Sequence, residues 1–211
     1  MQFLTIHPDN PQMRLIGQAA AIVRMGGIIV YPTDSCYALG CQIGDKGAME
    51  RIRRIRGLTE SHDFSLVCRD LSDISTYAKI GTSEFRLLKT LTPGPYTFIL
   101  PATRDVPRRL QNPKRRTIGI RVPDHRTTQA LLETLGEPLM SVTLLLPGDE
   151  APLTDPQEMR TRLEKLVDVI VDGGFCGLEP TTVIDLVGEV PVLVRQGKGD
   201  AAFLEPVGQA R

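Results

Sequence analysis

The sequence predicts an α/β fold built on one open, mixed sheet with helices packed against it. Short apolar, β-branched runs recur along the chain, and amphipathic stretches lie between most of them. After residue 181 two strand-like runs follow each other with no helix between, which makes the sheet mixed rather than parallel throughout.

A first strand is expected at 3 to 6. Asn10 and Pro11 then read as the cap and first position of a helix that ends at Gly26 and Gly27. The run IIVY at 28 to 31 is apolar throughout and suits a strand buried on both faces. A second helix is expected over 45 to 56, because Ala48, Ile52 and Ile55 recur at i, i+4 and i+7. Its other side carries Arg51, Arg53, Arg54 and Arg56, a pattern that a solvated helix face also produces. Further strands are expected from 64, 96, 118, 139, 167, 181 and 190, and helices near 83 to 90, 126 to 135 and 156 to 166. The Pro- and charge-rich stretch 101 to 116 reads as a long surface loop. Residues 1 to 205 read as one domain and 206 to 211 as a loose tail.

Composition narrows the function classes. Hydrophobic residues make up 41% of the 211 and charged residues 24%, which is the profile of neither a disordered nor a membrane chain. No apolar run reaches spanning length, and the start MQFLTIHPDN lacks the pattern of a targeting segment, so the cytosol is expected. Basic and acidic residues balance at 25 each, which disfavours a uniformly basic coat for RNA but leaves room for a local basic cleft. Cys36, Cys41, Cys68 and Cys176 form no CxxC pair, so they read as buried free thiols and no metal site is expected. His7, His62 and His125 lack ligand spacing and read as surface or capping residues.

The segment YPTDSCYALGC at 31 to 41 places the hydroxyls of Thr33, Ser35 and Tyr37 where a strand ends, a common position for ligand groups in open α/β sheets. It resembles the PTDTxYGLG signature of the YciO/YrdC family. The likeness continues in order through TPGPYTFIL at 92 to 100, TIGIRVPDH at 117 to 125, EPLMSV at 137 to 142, PTTVIDL at 180 to 186 and VRQG at 194 to 197. The HPDNPQ start and DFSLVCRD at 63 to 70 are similar to the YciO branch of that family.

The resemblance implies a twisted open sheet of the double-stranded RNA-binding type with a large concave, basic cleft. Active members join L-threonine, bicarbonate and ATP into threonylcarbamoyl-adenylate, used in tRNA modification, and members have been regarded as double-stranded RNA binders. Carried over by motif position, Thr33, Ser35, Tyr37, Arg121, Ser141 and Thr181 hold the amino-acid substrate. Arg56, Thr117, Thr143 and Arg195 face the nucleotide. No tightly bound cofactor is implied; ATP with Mg²⁺ enters as a substrate. Arg51, Arg53, Arg54, Lys114, Arg115 and Arg116 are the candidate contacts for duplex RNA or tRNA. From composition alone the four threonines also read as β-branched strand residues, the arginines as ion-pair partners and Tyr37 as a core aromatic.

Two motifs of active members are broken. Their KxR pair aligns with Arg56-Gly57-Leu58, and their SxN with Thr143-Leu144-Leu145. Arginine keeps the charge of lysine without its compact ammonium. Leucine offers phosphate no donor. Weakened or altered adenylate formation is therefore expected, with a non-catalytic RNA-binding module as the alternative. The oligomeric state is not legible.

Overall fold

The structure is a computed structural model and describes residues 1–59 and 64–204. Among these described residues ten strands form one sheet: β1 (Gln2–Thr5), β2 (Ile29–Tyr31), β3 (Ala38–Gln42), β4 (Ser65–Val67), β5 (Tyr96–Pro101), β6 (Thr117–Arg121), β7 (Leu139–Thr143), β8 (Val169–Asp172), β9 (Thr182–Asp185) and β10 (Val192–Arg195). Among the described residues six α-helices accompany it: α1 (Met13–Arg24), α2 (Lys46–Arg56), α3 (Leu71–Tyr77), α4 (Thr82–Leu91), α5 (Arg126–Leu135) and α6 (Pro156–Leu163). The strand order is β1-β8-β2-β3-β7-β4-β6-β5-β9-β10. Parallel pairs such as β1 with β8 and β4 with β6 alternate with antiparallel pairs such as β3 with β7 and β5 with β6. The fold is thus mixed α/β with a twisted open sheet.

Strand alternation sorts residues onto two faces. On one face Val30, Leu39, Leu66, Phe98, Ile120, Met140, Ile170 and Ile184 belong to one apolar core, continuous with Ala48 and Ile52 of α2 and Leu163 of α6. On the other, Ile29, Tyr31, Ala38, Val67, Leu139, Val169 and Val171 pack with Ile16 and Val23 of α1 and with Leu131 and Leu132 of α5. The second core stops short of β5, β6 and β9, none of whose residues it contains. Those strands keep their inner face apolar and turn Thr97, Thr117, Gly119 and Arg121 the other way, where α1 and α5 do not reach.

Local sequence explains the helix ends. Asp45 caps α2 by accepting from the Ala48 N–H at 2.9 Å. Gly57 closes it in the left-handed region at φ 64°, which glycine adopts at no steric penalty. Asp70 accepts from Ser72 and Asp73 at the start of α3, and Asp155 from Gln157 and Glu158 ahead of Pro156.

Some expectations change. The first helix begins at Met13 with Gln12 as its cap, because His7 Nδ1 accepts from the Asp9 and Asn10 N–H groups and holds Asn10 in a turn. Residues 38 to 42, read as motif alone, form a central strand. Within 101 to 116 a 3₁₀ turn at Arg108–Leu110 buries Leu110, and Val106 is buried ahead of it, so this loop is anchored in the core. Cys36, Cys41 and Cys68 are buried free thiols and Cys176 is half-buried. No described helix is long and apolar enough to cross a membrane. His62 and the tail at 206 to 211 lie outside the described residues.

Candidate functional site

Where α1 and α5 leave the sheet uncovered, a cavity of about 470 Å³ opens. Its floor follows from alternation: Ser65 of β4, Thr97 and Ile99 of β5, Thr117, Gly119 and Arg121 of β6, and Ser141 and Thr143 of β7. Register brings these together, since Ser65 stands opposite both Gly119 and Ser141, and Val67 opposite Arg121. Gly119 lies beneath close neighbours; a Cβ there would stand 2.8 Å from Ser65 Oγ. Arg56, Asn112, Arg115, Leu145, Glu150, Thr181 and Arg195 complete much of the wall.

Arg121 anchors one end. Its Nη2 donates to Asp34 Oδ1 at 2.6 Å, to Ser35 Oγ at 3.2 Å and to Thr33 Oγ1 at 3.4 Å. Both charged side chains are buried, with 9% and 8% of their surfaces exposed. The other Asp34 oxygen accepts from the Asp124 N–H at 2.9 Å, and the Asp34 carbonyl accepts from Lys198 Nζ. Arg121 Nε is buried and has no hydrogen-bond partner. A buried donor left unmade is expensive, so this atom calls for an acceptor. Ser141 Oγ lies 2.6 Å from the Tyr31 hydroxyl, and Thr181 Oγ1 lies 2.8 Å from Thr97 Oγ1. Arg195 donates to the Thr181 carbonyl from Nη2 at 2.9 Å and from Nε at 3.3 Å.

Arg56, on the last turn of α2, lines the wall with Thr143 and Leu145. Its Nε is buried without a partner, and burial lowers its pKa. Burial likewise lowers that of Arg195. Partial burial of a cation favours an anion beside it. Cys36, close behind, is pushed up to about 11, first by burial. It stays a thiol at neutral pH and is no nucleophile. Binding and polarisation are what this site offers.

The residues expected from sequence divide clearly. Arg56, Arg115, Thr117, Arg121, Ser141, Thr143, Thr181 and Arg195 line the cavity together. Thr33 and Ser35 stand behind Arg121 instead of on the wall, and Thr33 Oγ1 donates to the Cys36 carbonyl at 2.6 Å. Tyr37 is fully buried, donating to the Gly174 carbonyl and accepting from the Gly173 N–H, so its hydroxyl is engaged in holding the 173–174 turn. Arg51 is drawn to Asp168 at 2.9 Å, and Arg53 lies over the Phe64 ring and donates to the Thr59 carbonyl. Arg54 donates along its own helix to the Glu50 carbonyl. The helical arginines therefore fan apart instead of forming one patch with Arg56. Lys114 and Arg116 are exposed on a turn whose N–H groups at Lys114 and Arg115 are held by Asn112 Oδ1. Leu58 packs against the main core and does not line the cavity, whereas Leu145 does. Asp34, Thr97, Glu150 and Lys198 were not expected. Thr97 was within reach of the period-two pattern of YTFIL, and Asp34 lay in plain view among the hydroxyls of PTDS.

The family model Sua5_yciO_yrdC, described as telomere recombination, matches residues 21–197. The chain belongs to the Sua5/YciO/YrdC family. It is 61% identical over 199 residues to YciO of Escherichia coli strain K12, covering 94% of this chain and 97% of that one. The crystal structure of the E. coli family member superposes with a TM-score of 0.92 over 95% of this chain and 98% of that chain. A threonylcarbamoyl-AMP synthase of Nitrosococcus oceani is 35% identical over 156 residues, 74% of this chain and 83% of its own length. Another family member, P. abyssi Sua5 complexed with L-threonine, superposes with a TM-score of 0.85 at 26% identity. That alignment covers 93% of this chain and 58% of the Sua5 chain.

Proposed function

We propose that the cavity binds an amino acid through its carboxylate together with a nucleotide phosphate, and that adenylate formation here is weaker than in the threonylcarbamoyl-AMP synthases. The observation that carries this reading is the Arg121 guanidinium, held by Asp34, with a buried and unpartnered Nε beside the hydroxyl-lined floor. A guanidinium fixed in this way presents a carboxylate with directed, charge-assisted hydrogen bonds. L-threonine is the amino acid suggested by the P. abyssi relative. Arg56, Thr117, Thr143 and Arg195 serve the nucleotide, with ATP and Mg²⁺ as substrate, in a concave basic cleft.

In the corresponding synthesis a carbamate oxygen attacks the α-phosphorus and pyrophosphate leaves. Donors that meet the growing negative charge accelerate that step, each by about 10²–10³-fold. Leu145 supplies none on the wall it shares with Thr143 and Arg56. A product assay with threonine, bicarbonate and MgATP is expected to show turnover at least about 100-fold below a synthase run in parallel. Equal turnover would refute the weakening. Absence of calorimetric heat with both threonine and nucleotide would refute the site.

Duplex RNA is a second reading, supported by the exposed Arg108, Arg109, Lys114 and Arg116 close in sequence to Asn112, Arg115 and Thr117 of the cavity wall. Phosphate contacts make such binding fall steeply with salt, and A-form grooves give little sequence preference. Anisotropy titrations at several salt concentrations should show a shallower salt slope for the Lys114→Ala, Arg116→Ala double variant. An unchanged slope would remove this reading.

A further inference from the structure

We infer that Ser65 is a specificity-determining residue of the cavity: its hydroxyl, set against the methyl group of Thr97, selects a β-hydroxyl on the side chain of the bound amino acid. The inference rests on the reading of the cavity as an amino-acid site and names a residue that chooses among amino acids there.

Sheet register places Ser65. It opens β4, stands opposite Gly119 of β6 on one side and Ser141 of β7 on the other, and lines the cavity. Gly119 lies between Thr117 and Arg121, and strand alternation turns all three to the same face. Ser65 therefore stands one row along the sheet, about 7 Å of strand, from the carboxylate end at Arg121. A short side chain beside a carboxylate seated on Arg121 is within reach of that row.

Gly119 defines what lies there. A Cβ on it would stand 2.8 Å from Ser65 Oγ and 3.4 Å from Thr97 Cγ2, so a hydroxyl and a methyl group flank the same bare stretch of backbone from β4 and β5. Thr97 has its own hydroxyl engaged with Thr181 Oγ1 at 2.8 Å, which leaves the methyl group for the Gly119 side.

Hydrogen-bond polarity separates Ser65 from its neighbour Ser141. Tyr31 is fully buried, and among the described residues Ser141 Oγ, 2.6 Å away, is the acceptor its hydroxyl has. A buried phenol with its proton unplaced is costly, so Tyr31 donates and the Ser141 proton is free for the cavity. Ser141 thus acts as a donor beside the open Nε of Arg121, a pairing that suits a carboxylate, which only accepts. Ser65 is half-buried, and its hydroxyl has no hydrogen-bond partner among the described residues. It is free both to donate and to accept. The ligand group that answers both is a hydroxyl.

A carbon that bears one hydroxyl and one methyl group, as in L-threonine, sets the first against Ser65 and the second against Thr97. L-valine brings a methyl group to Ser65 and leaves that hydroxyl covered and unpaired, the situation in which a site rejects an isostere most strongly. L-allo-threonine exchanges the two groups.

The test is calorimetric titration of the intact chain with L-threonine, L-valine and L-allo-threonine, for the wild type and for Ser65→Ala. The wild type is expected to bind L-threonine about 10-fold more tightly than either analogue. Ser65→Ala removes an oxygen that no described protein group uses, so thermal unfolding should not move; L-threonine should weaken about 3- to 10-fold, while L-valine stays within about two-fold. A purely structural effect would weaken both amino acids alike and leave their ratio unchanged. A threonine-to-valine ratio unmoved by Ser65→Ala, or a wild type that binds L-valine or L-allo-threonine as tightly as L-threonine, would overturn the inference while leaving the amino-acid site in place. No binding of any of the three would overturn both.

Discussion

One face of the sheet is built in two ways. Over β1, β8, β2 and β3 it carries Ile29, Tyr31, Val169 and Val171 and is covered by α1 and α5. Over β6, β5 and the approach to β9 the same alternation presents Thr117, Arg121, Thr97 and, just ahead of β9, Thr181, and the core formed with α1 and α5 does not extend over them. The boundary runs through β7, where Leu139 belongs to the covered core and Ser141, two residues on, belongs to the cavity. Tyr31 bridges the halves through its hydroxyl to Ser141, and burial pushes its pKa up to about 12, so it stays a neutral hydrogen-bonding group. The comparison teaches that the strand pattern creates the face, while helix coverage decides whether its positions become core or site.

The sharpest way to break this contrast is to remove the charge that holds Arg121. Asp34→Ala strands a buried guanidinium and should lower unfolding free energy by about 3–5 kcal/mol, read by urea denaturation, and abolish threonine binding. A loss below about 1 kcal/mol would mean that the pair is not buried in solution. In the covered half, Leu132→Ala should destabilise by about 2–5 kcal/mol through its cavity, with threonine and nucleotide affinities unchanged in the remaining folded protein. A change in affinity there would deny the separation of the two halves.

The two leucines at the broken motifs make a finer test. Leu58→Arg forces a charge against the main core and should lower stability by about 1–3 kcal/mol with no gain in ATP affinity. Leu145→Asn adds a donor to the cavity wall and should raise ATP affinity while moving stability by less than about 1 kcal/mol. The pair should not be synergistic, because only one of the two faces the cavity. A modest effect is also expected of Thr181→Val, which removes the hydroxyl partner of Thr97: a loss of about 1 kcal/mol in thermal unfolding, with weaker amino-acid binding.

Much of this was legible in the chain itself. The β-branched runs at 28, 118, 139, 167 and 181 declared their strands, and the i, i+4, i+7 spacing of Ala48, Ile52 and Ile55 declared α2. Residues 38 to 42 did not, because ALGCQ lacks β-branched side chains and earns its place from the strands on either side. Helix α3 spans seven residues, too few for a periodic signal. The wall residues Thr117, Arg121, Thr143, Thr181 and Arg195 were readable from motifs. The contact of Asp34 with Arg121 was not, since it joins the bend after β2 to the end of β6, 87 positions apart, and no local pattern encodes that approach. The same holds for Glu150, which reaches the cavity from a loop after β7.

The most direct test of the two-halves account is an amide NMR titration of the intact chain with AMP and threonine. Shifts should concentrate at Ser65, Thr97, Thr117, Gly119, Ser141 and Thr181, and the amides of α1, α5, β1 and β8 should stay still. Perturbation centred on α1 and α5, with the floor of the cavity silent, would contradict the claim that the uncovered half of this face is the binding site.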